Sequence, residues 1–146
     1  MDIQISFPGG KRVDAQVGRH VVRTDQPAPV GDGSAVAPFE LFLASIGTCA
    51  GIYALGFCEA RGLPTQGLAL RQSNHFHPDG RLARVDLEVT LPAGFPRKYE
   101  AAILRAAEEC KVQRTLFAPP EFHVRAAVAA DQAAKANPVA AGPGSP

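Results

Sequence analysis

The stretch 38-PFELFLASIGTCAGIYALGFC-58 decides the fold of this chain. It carries one charged residue, Glu40, and is about as long as a membrane span. Pro38 suits the first turn of a helix, and Gly-Leu-Pro at 62–64 would end it, so the pattern predicts a helix over 38–61. A helix that is apolar on every side lies either in a membrane or at the centre of a globular core.

We favour the globular core and expect no membrane partner. The helix contains Ser45, Thr48 and three glycines, and the segments on both sides have the pattern of a soluble sheet. Gly47 and Gly51 form a pair of small residues four positions apart, which would allow a second helix to approach closely in either setting.

Segments on both sides of the helix alternate apolar and polar residues, as strands with one buried face do. Upstream, strands are predicted at 3–7, 13–17 and 20–24, followed by a loop over 26–37. Downstream, strands are predicted at 68–77 and 85–91, then a second helix from Phe95 with an apolar stripe ending at Cys110, then a strand at 122–128. The order β-β-β-α-β-β-α-β favours an α+β fold with antiparallel sheets around a long buried central helix.

A length of 146 residues fits one domain that builds its own core without disulfides. We assign that domain to residues 1–128 and expect the Ala-, Pro-, Gly- and Ser-rich residues 129–146 to form a disordered tail. The net charge of +1, with both signs interspersed, gives no footprint for nucleic acid. The first residues lack the pattern of a signal peptide, so we expect a cytoplasmic protein with reduced thiols.

The chain has three cysteines, Cys49, Cys58 and Cys110. Nine helical steps place Cys58 opposite Cys49, so Cys58 is best interpreted as a packing residue. Cys49 and Cys110 can meet only through tertiary structure. Since an unperturbed thiol has a pKa of about 8.5, only about 3 % of it is ionised at pH 7, and a reactive cysteine needs a cationic or dipolar neighbour. We interpret Cys49 and Cys110 as a thiol-based redox site.

Other kinds of site are weakly supported. His75 and His77 share a strand face and could bind a metal with His123 or a cysteine, but no CxxC or HxxxH spacing accompanies them. Ser45 has no GxSxG nucleophile elbow around it, and the paired glycines have turn rather than phosphate-binding spacing. We expect no metal and no cofactor.

Two motifs carry a resemblance to a known family. The helix segment 38–49 and the segment Cys110–Leu116 together resemble the OsmC/Ohr family of osmotically inducible and organic hydroperoxide resistance proteins. The strand order fits over roughly residues 2 to 128. His20, Asp25 and Pro27 look like the lead-in loop of the OsmC-like branch, and Arg61-Gly62-Leu63-Pro64 looks like its helix exit.

The resemblance implies an intertwined homodimer with active sites at its interface and a role in oxidative stress. It also implies a peroxidase in which the Cys49 thiolate attacks an organic hydroperoxide and Cys110 is the resolving thiol. The resulting disulfide would be reduced by a dithiol such as a lipoyl group. This chemistry is consistent with the oxidation steps open to cysteine, because a second thiol traps the sulfenic acid before overoxidation.

One position departs from the family pattern. In peroxidases of this family a Glu directly follows the Pro and holds the Arg that activates the thiolate, whereas here Phe39 follows and Glu40 comes one later. Glu40 and Arg23 are our candidates for this pair, with Arg19 and Arg114 as further candidates for the arginine. The alternative function is a dimer of the same fold that binds a small hydrophobic ligand without peroxidase activity.

Overall fold

The computed structural model describes residues 1–127, which form an α+β fold with antiparallel sheets, as the sequence predicts. The elements in chain order are β1 (Ile3–Gly9), β2 (Arg12–Val17), β3 (His20–Thr24), α1 (Pro38–Glu59), β4 (Ala69–Phe76), β5 (Leu82–Thr90), a 3₁₀ turn (Arg97–Tyr99), α2 (Glu100–Glu108) and α3 (Lys111–Phe117).

The strands form two separate antiparallel sheets. One has the order β1-β2-β3 and the other is the hairpin β4-β5. In the first sheet Ile5 pairs with Ala15, which pairs with Val22, so apolar residues share one face. No residue of β1 is buried, and the Phe7 side chain is 79 % exposed. The apolar face of this N-terminal sheet is therefore largely uncovered in a single chain.

The start of α1 is fixed by its first residues. Pro38 occupies the first turn, where a missing N–H costs nothing, and Ala37 precedes it in an extended conformation. The Glu40 carboxylate accepts a hydrogen bond from the Ala37 backbone N–H at 2.8 Å. At the other end Gly62 adopts a φ of 59°, and the Leu63 N–H bonds back to the Cys58 carbonyl.

The loop before α1 is held by a buried carboxylate. Asp25 is 1 % exposed and accepts hydrogen bonds from the Gln26 N–H, the Ser34 N–H and the Ser34 hydroxyl. The Ser34 bonds are the main cause of a pKa lowered below the usual aspartate value. A Cβ on Gly31 would clash with the Gln26 carbonyl oxygen, so only glycine fits this position without a shift.

The core contains one stripe of α1 and the adjoining residues of α2. The buried side chains are Ile46, Ala50, Ala54 and Cys58 of α1, Ile103 and Ala107 of α2, and Cys110. The rest of α1 is half-buried or exposed, so a single chain covers one stripe of the predicted central helix and leaves its other sides open. The hairpin β4-β5 and the short α2 are too small to surround a 22-residue helix.

By length and composition α1 could cross a membrane, and it is the one such helix among residues 1–127. Core helices of soluble proteins meet the same criteria.

The neighbour of Gly47 is a strand rather than the expected second helix. The Gln72 side chain of β4 donates from Nε2 to the Leu43 carbonyl at 3.0 Å, and a Cβ on Gly47 would lie 2.5 Å from Gln72 Oε1. Gly51 has open space around its Cβ position. The small residue at 47 thus makes room for a polar bridge between α1 and β4.

Two features at the C-terminal end differ from the predicted order. Residues 111–117 form the helix α3, which the sequence pattern did not indicate. The predicted last strand is absent over 122–127, where Phe122 and Val124 are 86 % and 96 % exposed and no residue pairs with a described strand. The order over the described residues is therefore β-β-β-α-β-β-α-α. Val128 and the predicted tail at 129–146 lie outside these residues.

Candidate active site

Cys49 lies on α1 one residue before buried Ala50. Its thiol is half-buried and packs against the edge of the core. It lines a groove of about 430 Å³ between α1 and α3, which we call the thiol groove. The other lining residues are Phe42, Lys111, Val112, Thr115 and Leu116. The reactive atom of Cys49 is thus open to a molecule that enters a mainly apolar groove.

Cys110 is completely buried in the connection between α2 and α3. The apolar stripe predicted it as the end of the second helix, but its φ of −65° and ψ of 144° are extended and make it the N-cap of α3. Its Sγ accepts the Gln113 backbone N–H at 3.4 Å, as a Ser or Asp oxygen does at other helix starts. This cap points the sulfur inward and fixes its position.

The two predicted thiols are brought together by α1 and the start of α3. Burial raises the pKa of Cys110, and the hydrogen bond and charge of the adjacent Cys49 side chain raise it further. The Gln113 and Val112 backbone N–H groups oppose this shift. Both cysteines are free thiols.

Cys58 lies on the opposite side of α1 and is fully buried in the core, where the sequence analysis placed it. Burial is the main cause of its raised pKa, and the charge of Glu59 adds to it. A buried thiol with a raised pKa is a poor nucleophile. Cys58 lines neither the thiol groove nor the second groove described below.

Arg23 and Glu40 do not reach Cys49 within one chain. Arg23 lies opposite Asp14 in the register of β2 and β3 and lines a separate polar pocket there. Glu40 is nine residues before Cys49, so it lies on the opposite side of α1 from that thiol. Its carboxylate accepts a hydrogen bond from the Ala37 N–H. Their predicted roles at the thiol stay predictions.

Lys111 and Phe42 are site residues that the sequence analysis did not identify. Lys111 directly follows Cys110, and its side chain lines the thiol groove together with Phe42. Phe42 stands seven positions before Cys49, which is close to two helical turns. That spacing could have indicated Phe42, whereas the orientation of Lys111 depends on the unpredicted α3.

The residue in the place of the family glutamate belongs to an aromatic cluster. The Phe39 ring stacks on Phe42 with centroids 5.6 Å apart and lies 6.4 Å from the Phe76 ring. Phe39 is half exposed. It therefore supports one wall of the thiol groove through Phe42 and supplies no charge.

A second apolar groove, of about 570 Å³, is lined by residues of α1, β5, α2 and α3. Its lining residues are Ile46, Leu82, Val85, Glu108, Gln113, Leu116 and Phe117. Leu116 borders both grooves. Because α3 contributes lining residues to both grooves, it lies between them. None of the residues of α3 is buried.

Two of the three histidines considered as metal ligands, His75 and His123, have other partners. His75 Nε2 is 2.8 Å from Asp86 Oδ2, beside Arg84, on the exposed surface of the hairpin. His123 pairs with Glu121 in the segment after α3. Within residues 1–127 no group of three or more His, Cys, Asp or Glu side chains could hold a metal ion.

Fold and site together define a class of protein, the α+β proteins in which a helix thiol meets a buried loop thiol beside an apolar groove. A family model described as OsmC-like protein matches residues 31–125, which is more than half of the chain. The chain belongs to the OsmC family. A comparison with curated protein sequences gave no match.

Solved structures share this fold. A Psychrobacter arcticus protein associated with osmotic stress induction and detoxification has a TM-score of 0.67 at 19 % identity, over 77 % of this chain and 85 % of that chain. An OsmC-like protein from Mycoplasma pneumoniae has a TM-score of 0.64 at 15 % identity, over 80 % and 86 %. An organic hydroperoxide resistance protein OsmC from Legionella pneumophila has 0.52 at 15 %, over 80 % and 89 %. At these identities the likeness shows the fold alone.

Proposed function

We propose that this protein is a dithiol peroxidase that reduces organic hydroperoxides. The observation that carries the proposal is the half-buried Cys49 thiol, which borders an apolar groove and packs against the core cluster that contains the buried Cys110 thiol. Family membership supports it, as does the hydroperoxide resistance named for the Legionella neighbour. A mainly apolar groove favours an organic hydroperoxide over hydrogen peroxide, because it buries the hydrocarbon part of the substrate.

The reaction has three balanced steps. The Cys49 thiolate attacks the terminal peroxide oxygen, the O–O bond breaks, and the alkoxide takes a proton to leave as an alcohol. The Cys49 sulfenic acid then condenses with the Cys110 thiol, which forms the disulfide and releases water. A dithiol reductant finally exchanges with the disulfide, so that both cysteines return to thiols and the reductant becomes a cyclic disulfide.

The environments of the two thiols support this division of roles. Cys49 borders the groove and can meet a substrate, whereas Cys110 is enclosed. The raised pKa of Cys110 keeps its proton on the sulfur at neutral pH, so it does not compete as the attacking thiolate. We place the reaction in the cytoplasm, where a lipoyl-type dithiol would supply the electrons.

Oxidation by cumene hydroperoxide tests the proposal. One equivalent added to the reduced protein without reductant should produce a Cys49–Cys110 disulfide, because Cys49 packs against the core cluster that contains Cys110. Mass spectrometry of the intact chain and its peptides should show the loss of two hydrogens at this pair, with Cys58 still reduced. An unchanged mass together with unconsumed hydroperoxide would refute the peroxidase.

We also propose that the working form is a homodimer. The uncovered apolar face of the N-terminal sheet and the exposed parts of α1, such as Ile52, would be buried by a second copy. A partner chain could also supply the Arg23 side chain that does not reach Cys49 within one chain. Light scattering at micromolar concentration should give twice the mass of one chain, and a monodisperse monomer would contradict the proposal.

The second candidate function is a dimer that binds a hydrophobic ligand without turning over peroxide. The aromatic stack of Phe39 on Phe42 favours it, because a hydrocarbon wall stands where the family peroxidases have a carboxylate. In that case cumene hydroperoxide would leave the thiols unchanged, while apolar molecules would still bind beside Cys49.

A further inference from the structure

The N-terminal sheet has a polar face as well as the apolar one. In the register of β2 and β3, Asp14 stands opposite Arg23, and the next pair is Ala15 opposite Val22. Successive residues of a strand point to opposite faces of a sheet. Asp14 and Arg23 therefore share the face that lies away from Ala15 and Val22, so a second copy that covers the apolar face does not thereby cover the polar one.

A pocket of about 410 Å³ is formed by this sheet and the loop before α1, and its lining is mainly polar. The polar side chains that line it are those of Arg12, Asp14, Arg23, Thr24 and Ser34. The Thr24 hydroxyl donates to the Val13 carbonyl, and the Ser34 hydroxyl donates to the buried Asp25 carboxylate. Because both hydroxyl protons are already used, the two guanidinium groups are the donors that a ligand would meet.

The two arginines of this pocket are not paired with carboxylates. The ion pairs formed among residues 1–127 include neither Arg12 nor Arg23, and they do not include Asp14 although it stands opposite Arg23. Arg12 Nε donates to the Gly9 carbonyl at 3.3 Å, which holds this guanidinium beside the β1-β2 turn. Since Asp14 is the one acidic residue of the lining, the pocket has an excess of positive charge.

We propose that this pocket binds a small phosphate monoester, with Arg12 and Arg23 holding the phosphate group. A phosphate monoester offers three acceptor oxygens and a charge of about −1.5 to −2 at pH 7, so both guanidinium groups can bind it at once. The planar guanidinium group matches phosphate oxygens with two parallel hydrogen bonds. A carboxylate offers only two oxygens and a single charge.

The size and the place of the pocket agree with this assignment. Its volume of about 410 Å³ is within the range of small-molecule sites. The pocket shares no lining residue with the thiol groove or with the second groove. The inference therefore does not depend on the proposed peroxidase, and its test uses no peroxide.

Calorimetric titration of the full-length protein at neutral pH with methyl phosphate and with methyl sulfate tests the charge preference. The two esters have the same tetrahedral shape, but methyl sulfate carries a single negative charge. We expect methyl phosphate to bind once per chain and about fivefold more tightly, as one additional solvent-accessible ion pair allows. Added NaCl should weaken its binding. No saturable binding of methyl phosphate, or equal binding of the two esters, would overturn the proposal.

A second titration separates an ester from free phosphate. Glycerol 3-phosphate should bind more tightly than inorganic phosphate, because the Asp14 carboxylate can accept a hydrogen bond from a hydroxyl group of the ester. Tighter or equal binding of inorganic phosphate would assign the pocket to the free ion and overturn the ester.

Arg12→Met and Arg23→Met should each weaken methyl phosphate binding by about fivefold or more, because each removes one of the two charges. Both side chains are exposed, so we expect both variants to fold, and circular dichroism checks this. The matched control is Arg19→Met, which removes the same charge from the β2-β3 turn outside the pocket and should leave binding unchanged.

Asp14→Asn should have the opposite effect and tighten methyl phosphate binding, because it removes the negative charge of the lining. An equal loss of binding in the Arg19 variant would indicate a general charge effect and overturn the site. Unchanged binding in both pocket arginine variants, or weaker binding in Asp14→Asn, would also overturn it.

Discussion

Cys49→Ser is expected to lower the rate of cumene hydroperoxide consumption by at least about a thousandfold, because it removes the attacking sulfur itself. A serine hydroxyl is scarcely ionised at neutral pH and has no route to a sulfenic acid. Cys110 cannot replace Cys49, since it is enclosed and its pKa is raised. The measurement is a steady-state assay with a dithiol reductant, supported by circular dichroism to show that the variant is folded.

Cys58→Ala is the matched control for this experiment. It removes a thiol from the same helix, but from the buried face opposite Cys49. We expect it to lower stability by a modest amount through loss of core packing and to leave the rate per folded molecule near that of the parent. A Cys49→Ser protein that retained a tenth of the activity, or a Cys58→Ala protein that lost it while folded, would contradict the assignment.

Cys110→Ser is expected to change the final oxidation product at Cys49 more than the rate of the first reaction with hydroperoxide. With the resolving thiol removed, the Cys49 sulfenic acid has no adjacent partner, and excess hydroperoxide should convert it to sulfinic acid. In the absence of reductant the parent should stop at the disulfide, whereas the variant should gain two oxygens at Cys49. Peptide mass spectrometry distinguishes these products.

The serine in this variant is a conservative cap. Its hydroxyl oxygen can accept the Gln113 N–H as the Cys110 sulfur does, so α3 should keep its start. Activity should therefore decline with successive turnovers and should not be lost at once. A disulfide between Cys49 and Cys58 in this variant would contradict the site geometry described above, because it requires the two sulfurs to meet although they lie on opposite sides of α1.

The features that the sequence predicted best are the helix and strand positions that local patterns determine. The third strand was predicted at the residues it occupies, and α1 begins at Pro38 as expected because the missing N–H of proline favours a helix start. The ends of the β4-β5 hairpin differ by a few residues only. These features depend on periodicity and turn residues within one segment, so they need no knowledge of the rest of the chain.

The features that were missed depend on tertiary contacts. A cysteine is not a usual helix cap, so nothing in the segment after Cys110 indicated that its sulfur would begin α3. Residues 122–127 alternate as a strand does, but a strand also needs a neighbouring edge that supplies hydrogen bonds. The contact of Cys49 with Cys110 was implied by the family resemblance, and the residues themselves gave no distance.

The way the two sheets are built has a consequence for the folding pathway. Each sheet joins strands that are consecutive in the chain, so each can form early with a small loss of loop entropy. The N-terminal sheet then has little apolar cover from its own chain. If a second chain provides that cover, the final folding step is bimolecular, its rate rises with protein concentration, and dilution during refolding prolongs the life of an aggregation-prone intermediate.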